Sequence, residues 1–228
     1  MRTGTETQFI RYHTPVPIID DEALVLDHHK YRDRHLILAV MTRRSGVQRG
    51  VLRQARGGKA PAAAAAQILS HVQVSLYQRP QAELATFRHI DLLTSSYPLT
   101  TDLANSTAAA VIAELLVTFC PPGEEMEKSF RLGIASLEAL LAGVAANTVV
   151  SYAQFWSLAL GGVLPSLDMI GTSLGKDDLQ TLSKFRQLPV KELPARVPPR
   201  TARWLDQRVR EEAERPLRAL DFFRENSE

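Results

Sequence analysis

The sequence predicts an α+β protein, a five-stranded OB-fold barrel over residues 22–96 followed by an all-helical domain over 97–228. Three observations carry this. Five short strand-like segments with tight turns crowd into the first half. Apolar residues recur at helical spacing through the second half. Charge divides the same way: residues 1–95 hold 13 basic and 8 acidic side chains, and residues 96–228 hold 14 and 17. Two halves of opposite sign suggest two modules with different partners, or two solvated surfaces.

The strands follow in order. Residues 1–21, with Pro15 and Pro17, read as an extended N-terminal arm or lead-in. Glu22 to Tyr31 opens on Ala23-Leu24-Val25-Leu26, and Arg34 to Thr42 is apolar and β-branched. Ser45-Gly46 marks a turn. Val47 to Arg56 is a third strand in which Gly50 marks a bulge or bend. Ile68 to Tyr77 alternates, with Ile68, Val72, Val74 and Leu76 on one side. Arg79-Pro80-Gln81 turns the chain into Glu83 to Leu93. Five such strands suit a small closed barrel. Gly57 to Ala66 lies between the third and fourth, and its alanines read equally as a short helix or a low-complexity loop.

The helices are as periodic. Ala108, Val111, Ile112, Leu115, Leu116 and Phe119 share one face, and Pro121-Pro122-Gly123 ends that helix. Phe130, Ile134, Leu137 and Leu141 define the next, with Glu124 and Glu125 in its first turn. Thr148 to Leu160 carries Tyr152, Phe155, Trp156 and Ala159. Residues 163–199 contain one helix, Asp177 to Gln187, and enough prolines to read as a linker that wraps rather than packs. Arg200 to Glu214 is a late helix, and Pro216 starts a short terminal one.

The strongest functional signal is charge density. Between His28 and Lys59 stand nine basic residues and one acid, in a chain of net charge +2. The basic residues are Lys30, Arg32, Arg34, Arg43, Arg44, Arg49, Arg53, Arg56 and Lys59. Apolar residues interleave them, so the charge is built into strands. That is the electrostatic footprint of a nucleic-acid binder. Barrel aromatics are few, Tyr31, Tyr77 and Phe87, and read either as core or as stacking platforms. Electrostatics is therefore expected to dominate, with duplex DNA competing well.

Other chemistry is not signalled. One cysteine, Cys120, excludes an intrachain disulfide and a Cys-rich metal site. His28 and His29 are adjacent on a strand and point to opposite faces. Gly57-Gly58-Lys59 lacks the first glycine of a phosphate loop. No nucleophile or zinc-protease motif is present, so no catalytic residue and no cofactor is expected. No signal peptide or membrane span is read, and a cytoplasmic, nucleoid-associated protein is expected.

These residues also carry a family resemblance. Lys30 to Leu36 with Thr42-Arg43-Arg44-Ser45-Gly46 is similar to the second-strand region of the bacterial recombination mediator family RecO. Gly50 to Lys59 resembles its Arg-Gly-Ala-Arg stretch, and Val74 to Tyr77 with Ala82 to Thr86 its next hairpin. Leu158 to Pro165 resembles the end of its helical bundle, and Arg215 to Phe223 its C-terminal segment. The resemblance implies DNA binding, strand annealing, and loading of RecA with RecR and single-strand-binding protein. It departs at the paired cysteines that hold zinc in many members. Ile170 and Ser173 stand where the first pair would fall, so 163–199 reads as a degenerate, metal-free module. The resemblance also implies that the acidic, apolar-tipped tail of single-strand-binding protein is a ligand. Lys128 and Arg131 share a helix face beside Phe130 and Ile134 and are the candidate residues for it. A barrel that serves only as a protein-interaction scaffold, with little DNA binding, is the alternative reading.

Overall fold

The computed structural model describes residues 18–53, 64–120, 127–166, 169 and 174–226. Five strands come first: β1 (Ile18–Tyr31), β2 (His35–Thr42), β3 (Gly46–Leu52), β4 (His71–Tyr77) and β5 (Ala85–Thr94). They close into a barrel in the order β1-β2-β3-β5-β4, the predicted OB fold. β1 is long enough to serve two neighbours. Ile18 to Leu24 pairs with β4 and Ala23 to Tyr31 with β2. An irregularity between Val25 and Asp27 lets the strand bend from one partner to the other.

Closure needs one parallel contact, Gly50 to Leu52 of β3 against Ala85 to Phe87 of β5. Gly50 is what permits it. A Cβ there would lie 2.9 Å from the Ala85 carbonyl oxygen and 2.9 Å from the Phe87 ring.

Six α-helices follow among the described residues: α1 (Leu103–Phe119), α2 (Glu127–Leu141), α3 (Ala146–Leu160), α4 (Lys176–Gln187), α5 (Pro199–Glu212) and α6 (Arg218–Glu225). Asp102 caps α1 by accepting from the Asn105 N–H at 2.9 Å. None of these helices is long and apolar enough to cross a membrane.

Two cores form. Val25, Leu38, Val40, Val74, Leu76 and Phe87 fill the barrel, joined by Ala65 and Ala66 from the β3–β4 connection. The outer face of the same strands, Leu24, Leu26, Ala39, Met41 and Val47, joins Ile112, Leu116 and Phe130 in the larger core. The larger core therefore spans the outer face of the barrel and the helices. β1 and β2 read as apolar runs because both of their faces are covered. Gly133 of α2 marks the closest approach, where a Cβ would collide with the side chains of Leu24 and Leu116.

Three expectations need correction. β1 begins at Ile18, so the last residues assigned to the arm belong to the barrel. β4 begins at His71, because Leu69 takes a left-handed φ of 66° and breaks the strand after Ile68. Residues 174–199 pack rather than wrap: Leu182, Phe185, Val190 and Val197 are all buried in the helical core. Prolines there start elements, Pro189 before a short 3-10 turn and Pro199 as the first residue of α5, and the apolar residues between them are core. The Pro121-Pro122-Gly123 stop, Glu124 and Glu125 lie outside the described residues.

Candidate nucleic-acid interface

Strand alternation sorts the cationic residues. On the strands β1-β2-β3, Tyr31, His35, Val51 and Arg53 face outward. With Arg32 and Thr86 they line a concavity of about 550 Å³. The turn from β1 to β2 holds Arg32 at φ 52°, and its guanidinium sits 5.2 Å from the Tyr31 ring centroid. Arg34, in the same turn, is exposed. Lys30 pairs opposite Leu36, a residue of the barrel interior, so it stands at the exposed mouth of the barrel on the other face. Arg49 is exposed on the same face of β3 as Arg53, nearer the helices. Arg56 and Lys59 lie outside the described residues.

Arg43 and Arg44 do not join this group. They occupy the turn at the far end of β2, where ion pairs hold them. Arg43 donates to the Glu127 carboxylate at 2.9 Å, which holds that carboxyl below its ordinary range and raises the guanidinium. Arg44 donates to buried Asp21 through its backbone N–H at 2.8 Å and its Nε at 3.2 Å. Charge counting along the sequence could not separate these two from the others, because their acidic partners are distant in the chain or on another strand.

The chemistry this face offers suits binding. Guanidinium groups can meet phosphate oxygens with little regard to base, and Tyr31, partly exposed, offers a phenol ring in the concavity. Among the described residues no group of three His, Cys, Asp or Glu side chains is placed to hold a metal ion. His29 instead pairs with Asp27 at 2.9 Å.

A second concavity, of about 260 Å³, lies between α2 and α3. Lys128 and Arg131 form its cationic edge, and Leu132, Ala135, Tyr152, Trp156 and Leu160 form its apolar wall. The Trp156 indole donates to the Phe185 carbonyl at 3.0 Å, which fixes that wall. Burial pushes the Tyr152 hydroxyl up, so it stays protonated. Phe130 is misplaced in the expected pocket: it is buried in the core with its ring edge-on to His71 at 5.9 Å. Ile134 packs against the same core and does not line the cavity. Tyr152 and Trp156, one turn apart on α3, line it, and sequence reasoning had given them no part in a site.

Residues 17–96, the whole barrel, match the family described as Recombination protein O N terminal. Over its barrel the chain is similar to the RecO family. Among curated proteins it is similar to the DNA repair protein RecO of Koribacter versatilis, 30% identical over 146 residues, which is 64% of this chain and 59% of that one. The DNA repair protein RecO of Cupriavidus metallidurans is 30% identical over 134 residues, 58% of this chain and 43% of that one. The DNA repair protein RecO of Symbiobacterium thermophilum is 28% identical over 116 residues, 51% of this chain and 45% of that one. The chain thus spans about half the length of these RecO relatives. The matched segment is the barrel that carries Arg32, Arg49 and Arg53.

Proposed function

We propose that this chain is a non-catalytic DNA-binding recombination mediator. It acts in DNA repair, anneals complementary strands, and loads RecA together with RecR and single-strand-binding protein. One observation carries the reading: Arg32, Arg34, Arg49 and Arg53 are exposed on or beside one outward face of an OB barrel, and Arg32 and Arg53 line a concavity there with Tyr31. Annealing needs the repulsion between two phosphate backbones screened without a preference for sequence, and exposed arginines do that. The match of the barrel to the RecO N-terminal family and the DNA repair role named for similar proteins support the same reading.

The partner peptide is assigned to the α2–α3 concavity. An acidic tail with an apolar tip fits a cavity with Lys128 and Arg131 at its edge and Trp156 and Leu160 in its wall.

The deciding experiment is annealing of complementary oligonucleotides by the full chain, with and without single-strand-binding protein. Affinity is measured alongside as a function of salt. If about four to six phosphates are contacted, log affinity against log salt slopes at about −3 to −6. A slope near zero with no annealing leaves the barrel as a protein-interaction scaffold.

A further inference from the structure

The outward face that carries Arg53 does not stop at the barrel. Arg49 is four residues back on β3, about 13 Å away at ~3.3 Å per residue. Val51 lies between them on the same side. At Arg49 the face enters a cleft of about 580 Å³ between the barrel and the helical domain. Leu26, Ala39 and Val117 contribute its apolar surface. Arg215 and Arg218, from the far end of the chain, line its other wall.

The charge of this cleft depends on what its acids are bound to. Glu114 of α1 caps α6, accepting from the Ala219 N–H at 3.1 Å and the Leu220 N–H at 3.2 Å. Asp27 pairs with His29 and accepts from the His28 N–H at 2.7 Å. Both carboxylates keep their charge but have hydrogen-bond partners within the chain. Arg215 donates to an uncharged partner, the Thr118 hydroxyl, at 3.1 and 3.2 Å. No carboxylate among the described residues forms an ion pair with Arg49, Arg215 or Arg218. Three guanidinium groups line the cleft against two carboxylates, so the balance is cationic and favours a polyanion.

We propose that this cleft is the continuation of the nucleic-acid path. The phosphodiester backbone of a single strand crosses the outward face from Arg53 to Arg49, and Arg215 and Arg218 then hold it. The apolar surface between them takes sugars and base faces while the arginines take phosphates. The inference rests on the DNA-binding reading and extends it to the C-terminal segment. Continuity with the Arg53 face through Val51 favours a strand over an acidic protein segment.

The test uses the full chain and oligothymidylates from about 4 to about 16 nucleotides, the span of site sizes of single OB folds. The variant is Arg215→Ala/Arg218→Glu. Arg218 is exposed and is the first residue of α6, where an acid suits the helix dipole, so the variant is expected to fold, which a urea melt beside wild type checks. Short oligonucleotides are expected to bind the variant as they bind wild type. Long ones bind about tenfold more weakly at low salt, with a salt slope shallower by roughly 0.7 for each phosphate no longer neutralised. Arg218→Lys retains most of the wild-type affinity for long oligonucleotides. Equal binding of variant and wild type at every length overturns the inference and leaves the barrel face intact. Failure of wild type to bind at any length removes the DNA-binding reading itself. Loss of capture by single-strand-binding protein, with oligonucleotide affinity unchanged, assigns the cleft to a protein and also overturns it.

Discussion

Arg43 in the β2–β3 turn donates to Glu127 in the first turn of α2, 2.9 Å across the boundary between barrel and helices. Arg44 beside it does the same work within the barrel, on Asp21 and the Asp20 carbonyl. The turn is thereby committed to structure. The eight residues of β2 separate it from Arg32 and Arg34, about 26 Å at ~3.3 Å per residue. One cationic stretch in the sequence becomes two groups in space.

That division predicts different outcomes for charge reversal. Arg53→Glu is expected to weaken DNA binding at low salt and to flatten its salt dependence by about one phosphate's worth. Stability should hardly change, because the side chain is exposed. Arg43→Glu should leave DNA affinity at the wild-type level and lower the denaturation midpoint. Fluorescence anisotropy and urea melts on both variants check this. Equal losses of affinity would return Arg43 to the binding face.

The same pair predicts a pH effect. Arg43 holds the Glu127 carboxyl below its ordinary range, so the folded state favours the carboxylate. Its contribution is complete above the unfolded-state value of about 4.3 and is lost as pH falls through the lower folded-state value. Urea melts of wild type and Glu127→Gln should therefore differ at pH 7 and converge in acid. High salt should shrink the difference, since both side chains are about half exposed. A gap that persists below both values would assign it to packing.

Much of this was legible in the sequence because strand and helix periodicities are local. The five strands, the long α1 and the paired α2 and α3 follow from the spacing of their own apolar residues. What escaped depends on contacts between distant residues. The ion pairs of Arg43 and Arg44 join elements whose proximity only the closed fold creates. Phe130 leaves the expected pocket and Trp156 enters it for the same reason. Both are aromatics at helical spacing, and only the packing of barrel against helices, in which Phe130 meets β4's His71, puts Phe130 in the core. The packed segment after residue 174 was misread because prolines there outweighed apolar residues too widely spaced to form one periodic face.

Barrel closure has its own test at Gly50. Alanine normally favours an ordered strand over glycine. Here the added Cβ would press on the Ala85 carbonyl oxygen, which belongs to a paired strand and cannot swing away. The clash decides the sign: Gly50→Ala should destabilise by about 1–3 kcal/mol. An unchanged urea midpoint would show that the β3–β5 contact has slack.

The α2–α3 concavity separates binding from folding at adjacent positions. Lys128 and Arg131 are exposed, so Lys128→Glu/Arg131→Glu should keep its fold and lose affinity for an acidic, apolar-tipped tail peptide. Phe130 is 3% exposed, so Phe130→Ala should instead cost about 3–5 kcal/mol of stability. Trp156 lines the cavity and supplies the signal: the wild-type titration should change its fluorescence, and the double variant should abolish that change. The loss should soften at high salt, because the charged edge is open to solvent while the apolar wall is not. Peptide binding by wild type that survives in the double variant would move the site away from this cavity. A peptide that never perturbs Trp156 in wild type, yet binds, would do the same.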